Sequence, residues 1–105
     1  MVKRAILVLA FAIGCAPTSG VDPNKSGEFS EAEIRALCRF QADLLGDVFE
    51  GCGRRIESGY EVCLEGPPHI AGNCGWATVG AFEECVRALA SGDCEHPSCL
   101  LPLCL

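Results

Sequence analysis

SEAEIRALCRFQADLLGDVFEGCG, residues 30–53, is the longest patterned stretch of the chain, and the fold class turns on how it is read. Ser30 followed by Glu33 forms a capping box: the serine oxygen accepts from the third helical N–H, and the glutamate carboxylate accepts from the N-cap N–H. Behind it Ile34, Leu37, Cys38, Leu45, Val48, Phe49 and Cys52 recur at helical spacing, with Gln41 as the polar interruption. This pattern predicts a helix from about Glu31 to Glu50, stopped by Gly51 and Gly53. Gly46 would weaken its middle by about 1 kcal/mol relative to alanine.

Toward the C-terminus, Ser58-Gly59-Tyr60-Glu61 repeats the capping-box pattern ahead of Val62, Cys63 and Leu64. Gly66-Pro67-Pro68 limits that second helix to about two turns. Residues 66–75 read as a loop pinned by Cys74. Thr78 can cap a third helix, in which Val79, Phe82, Cys85, Val86 and Leu89 share one face and Ser91-Gly92 is the end. Strand signals are sparse. The expected fold class is therefore all-α: a small disulfide-stapled bundle of about three helices with a Pro-broken C-terminal tail. Cys52, Cys63, Cys74 and Cys85 stand at equal steps, but the residues between them do not match and no repeat is supported.

Toward the N-terminus, Ala16 to Glu28 is rich in Pro, Ser, Gly, Asn and Asp, with Val21 its only bulky apolar residue. Such a composition predicts a flexible tether over 15–29, spanning roughly 20 Å on average, ahead of a folded domain over 30–105. Upstream, Lys3 and Arg4 precede an apolar run from Ala5 to Ile13, too short to span a bilayer, which closes on Gly14-Cys15. That order is the signature of a signal peptide over 1–14, removed on export. Ala12-Ile13-Gly14-Cys15 resembles the lipobox of bacterial lipoproteins, matching it at Gly14 and Cys15 and departing from its commonest residues at Ala12 and Ile13. The resemblance to that family implies cleavage before Cys15, lipidation of its thiol, and outer-membrane sorting, since Ala16 rather than Asp follows the cysteine. Ordinary cleavage after Gly14, giving a secreted chain, is the alternative.

Cysteine arithmetic favours lipidation. There are nine cysteines, and ordinary cleavage leaves an odd one in an oxidising compartment. Committing Cys15 to lipid leaves Cys38, Cys52, Cys63, Cys74, Cys85, Cys94, Cys99 and Cys104, enough for four disulfides. Their pairing is open among 105 connectivities. Cys38 and Cys52 are each expected to staple the first helix to a later segment, because the two ends of one helix cannot meet. Without Lys3 and Arg4 the balance is six basic residues against fourteen acidic, a net −8. A chain this acidic is not expected to bind nucleic acid, and its contact with membrane is expected through covalent lipid alone.

No catalytic constellation emerges. His69 follows two prolines and His96 precedes one, so both read as solvated loop histidines, and no GxSxG, HExxH or calcium-loop pattern occurs. Adjacent Glu83 and Glu84 point about 100° apart on a helix and read as a solvated face. Cys94, His96, Cys99 and Cys104 carry the atoms of a zinc site without its spacing, so cystines are the better reading. No metal and no cofactor is therefore expected. Trp76 in a glycine-flanked loop, with Leu100 and Leu101 of the apolar tail, is the candidate partner surface. The expected function is a non-enzymatic envelope lipoprotein serving a protein or envelope-matrix partner; a small-ligand or metal carrier and a secreted inhibitor- or toxin-like domain are the alternatives.

Overall fold

Ser30 starts the first helix as its sequence requires. In the computed structural model, which describes residues 16–71 and 75–100, Glu33 N donates to Ser30 Oγ at 3.1 Å and Ser30 N donates to Glu33 Oε1 at 2.8 Å. Helix α1 spans Glu31–Leu45 and buries Leu37, Cys38 and Phe40. It stops five residues short of the expected end. Gly46 takes φ 78° and ψ −171°, a region open essentially to glycine alone, and turns the chain out of the helix.

A β-hairpin follows, which corrects the all-α expectation: the fold is three helices plus a two-stranded antiparallel sheet. Strand β1 (Val48–Gly51) pairs with β2 (Arg54–Glu57) in the register Val48–Glu57, Phe49–Ile56, Glu50–Arg55, Gly51–Arg54. The loop is the two residues Cys52 and Gly53, at φ 55° and 69°. Positive φ at both positions matches the twist of the flanking strands. Val48, Phe49 and Cys52, which continue the helical stripe on paper, thus belong to the hairpin. Phe49 and Ile56 face each other half-buried, while Val48 is exposed.

Ser58 joins the hairpin to α1 rather than capping the next helix. Its buried hydroxyl donates to Gly46 O at 2.7 Å, and its N–H donates to Asp47 O at 3.0 Å. Helix α2 (Tyr60–Glu65) is capped at Gly59, one residue later than expected. Helix α3 (Val79–Ser91) begins as predicted, with Thr78 Oγ accepting from Ala81 N at 3.2 Å, and ends on Gly92. A short 3-10 turn (Pro97–Cys99) closes the described chain, its entry fixed by Ser98 N donating to His96 Nδ1.

The core lies between α1 and α3. Phe82 is fully buried at its centre, with the Phe40 ring at 6.2 Å and the Trp76 ring edge-on at 5.1 Å. Leu37, Val79, Val86, Ile70 and Val21 complete it. Val21 comes from the segment expected to be a tether. That segment is a strap: Pro23 O and Lys25 O accept from Gly80 N and Val79 N at 2.8 and 2.9 Å, satisfying N–H groups that the start of α3 leaves without helical partners. Gly27 N donates to Ile70 O at 2.8 Å. Polar composition predicts little burial, yet one buried valine and a set of backbone hydrogen bonds tie the segment to the helices.

Among the described residues three disulfides staple the elements. Cys38–Cys63 joins α1 to α2, Cys52–Cys94 joins the hairpin loop to the segment after α3, and Cys85–Cys99 joins α3 to the 3-10 turn. Their Cα separations of 5.5, 5.4 and 4.9 Å lie within the usual range. Cystines of this kind belong to an oxidising, exported environment. Cys15, Cys74, Leu101 and Cys104 lie outside the described residues. Among those described, no helix is long and apolar enough to cross a membrane.

Candidate functional site

The hairpin leans its Arg54/Ile56 face toward the ends of α1 and α3 and so roofs a small cleft. Residues two apart on a strand share a face, which places Arg54 and Ile56 side by side at the opening. Gln41 and Leu45 of α1 form one wall, and Phe82, Val86 and Leu89 of α3 form the other. Trp76 and the Cys85–Cys99 disulfide complete the lining of a space of about 190 Å³. No aspartate or glutamate lines it, in a chain with fourteen of them.

The lack of a pairing partner distinguishes Arg54 from the other described lysine and arginines. Lys25 Nζ binds Glu33 at 2.7 Å, and Arg35 binds Glu31 at 2.7 Å. Arg55 lies 3.3 Å from both Glu50 and Glu57. Arg87 donates to Pro17 O at 2.6 Å and lies 4.0 Å from Glu83, and Arg39 sits over the Tyr60 ring at 4.9 Å. Among the described residues Arg54 alone has no such partner. It is exposed, on a cleft whose only other polar lining side chain is Gln41. Sequence reasoning passed over it because Arg54 and Arg55 look alike; only the register, which puts Arg55 opposite Glu50 and Gly51 opposite Arg54, tells them apart.

Glu83 corrects a second expectation. It is buried, not part of a solvated face, and its Oε2 accepts from Ser19 N at 2.7 Å and Ser19 Oγ at 2.6 Å. Its neighbour Glu84 is exposed and accepts from Ser98 Oγ at 3.0 Å. The pair thus splits into one strap anchor and one surface group. On the surface, the Lys25 ammonium hydrogen-bonded to Glu33 holds that carboxyl below the ordinary carboxylate range, helped by Ser30 N–H.

Of the residues singled out as a partner surface, Trp76 and Leu100 meet at a second hollow of about 180 Å³, which also takes in Pro97 and Ala81. Leu100 is 68% exposed there. The Trp76 ring separates this hollow from the cleft, and its Nε1 is shielded without an acceptor. Of the sulfurs weighed for zinc, Cys94 and Cys99 are in disulfides. Among the described residues no group of three His, Cys, Asp or Glu is gathered to hold a metal. No family model matches the chain, and no curated protein or solved structure matches it.

Proposed function

We propose that the chain is a non-enzymatic envelope lipoprotein, anchored through lipid on Cys15 and presenting a rigid acidic domain to a protein or envelope-matrix partner. The observation that carries this reading is the cysteine remainder. Three disulfides among the described residues take six of the nine cysteines, and the other three, Cys15, Cys74 and Cys104, lie outside the described residues. Three is odd, so one of them needs another fate. Cys15 ends a basic-then-apolar leader and is preceded by Gly14, the setting in which a thiol is acylated. Ala16 after it favours sorting to the outer membrane.

The strap adds a geometric consequence. Pro17 and Ser19 already contact Arg87 and Glu83, so an anchor at Cys15 holds the domain close to the head groups. Several acyl chains would then supply durable attachment without any apolar face of the domain. The test is Cys15→Ser with membrane fractionation and intact mass after thiol blocking without reduction. The native chain is expected in membranes, starting at Cys15 and heavier by lipid, with no blocked thiol. The variant is expected to be soluble and still folded. A variant that stays membrane-bound, or a native chain without lipid, overturns the anchor.

A further inference from the structure

We infer that the cleft between the hairpin, α1 and α3 binds a small amphipathic carboxylate, its apolar body between Leu45, Ile56, Val86 and Leu89 and its head group on Arg54. The inference is independent of membrane attachment. Three features of the cleft converge on this ligand class.

Charge comes first. The chain is strongly acidic and its other described cations are engaged, yet the one without a partner stands at the mouth of a lining free of carboxylates. A cationic ligand would meet Arg54 with nothing to offset the repulsion. A planar guanidinium offers a carboxylate two parallel N–H donors, a match in geometry as well as sign.

Lining comes second. Aliphatic and aromatic side chains, with a disulfide between them, provide the apolar wall, and Gln41 is the only other polar side chain on it. Gln41 Nε2 is directed at Ser58 O at 3.4 Å, so its amide is already oriented along the hairpin base. A ligand with polar groups along its whole length would leave them unpaired at these walls. Size comes third. A cavity of about 150 Å³ admits a benzene-sized body, so the present space suits one ring or a chain of about eight carbons.

Trp76, the single tryptophan, lines the cleft and reports on its contents. The experiment titrates the oxidised, folded chain with octanoate while following Trp76 emission. 1-Octanol provides the apolar body without the charge, and acetate provides the charge without the body. Octanoate is expected to give a saturable change at a concentration about tenfold below that of 1-octanol, with acetate inert. Arg54→Gln, at an exposed strand position, is expected to keep the melting temperature and erase the preference for octanoate over octanol. Leu89→Phe, which narrows the space from α3, is expected to weaken both ligands. Absence of saturation, equal binding of octanoate and octanol by the native chain, or unchanged preference in Arg54→Gln would overturn the inference.

Discussion

Glu33 performs two tasks with one carboxylate: it caps Ser30 N–H at the start of α1 and receives the Lys25 ammonium from the strap. Both favour the charged form, the lysine most, so the folded state holds this carboxyl below its ordinary value of 4.5. A group whose pKa falls on folding stabilises the native state above that ordinary value and loses the contribution as pH drops through the folded value. The native chain should therefore melt higher than Lys25→Met at pH 7, with the gap narrowing below about pH 4.5 and closing once Glu33 is protonated. Thermal melts across that range check it; a gap that persists at pH 2 would show that the lysine acts through its ammonium over the Phe29 ring, 5.3 Å away, and not through the Glu33 carboxylate. The caps at Ser30 and Thr78 were legible in the sequence because donor and acceptor lie three residues apart. Ser58 looked equally like a cap, but its hydroxyl is taken by Gly46 O twelve residues upstream, a contact that spacing cannot announce.

The same distinction operates between elements. α1 and α3 carry apolar faces with a helical period, and each was readable in type and starting residue, while the end of α1 was set five residues too far. The hairpin was not, for two reasons. Its strands are four residues long and only partly buried on one side, leaving almost no alternation to detect. In addition, Leu45, Val48, Phe49 and Cys52 happen to fit a helix as well as a turn into a strand. Gly46 decides between the two, because its backbone angles end the helix and turn the chain toward β1. Gly46→Ala would force a Cβ into conformational space reserved for glycine, at a cost of about 1–3 kcal/mol, although nothing lies within 4 Å of the added atom. A lowered melting temperature with the cleft still able to bind would place the strain in the turn alone. An unchanged melting temperature would mean that the helix can run on past Leu45, as the sequence pattern first suggests. The cleft itself was only half legible: Trp76, Val86 and Leu89 were in view, while Arg54 and Ile56 depend on a strand register that no periodicity revealed.

At the scale of the whole molecule, the disulfides overlap along the chain, since 38–63 crosses 52–94 and 52–94 crosses 85–99. On loop-closure grounds each contributes about 3–4 kcal/mol, so a domain too small to rely on burial is covalently continuous from α1 to the 3-10 turn. The strap lies outside that network and is held by non-covalent contacts: Val21 in the core, two carbonyls on the start of α3, Gly27 N on Ile70 O, Lys25 on Glu33, Pro17 O on Arg87 and Ser19 on Glu83. It is thus the segment that should open first. Glu83→Ala leaves Ser19 N–H and Oγ without their acceptor, a loss of about 1–3 kcal/mol that the disulfides do not offset because none reaches the strap. Lys25 is the only basic residue from Ala16 to Ser30, so trypsin acting there reports strap opening directly. Cleavage after Lys25 should be at least about tenfold faster in Glu83→Ala than in the native chain under conditions where cleavage samples the open population. The melting temperature of the disulfide-linked domain should fall far less than such a local rate implies. Equal cleavage rates would mean that Val21 and the other contacts hold the strap unaided, leaving buried Glu83 without a role in fastening it.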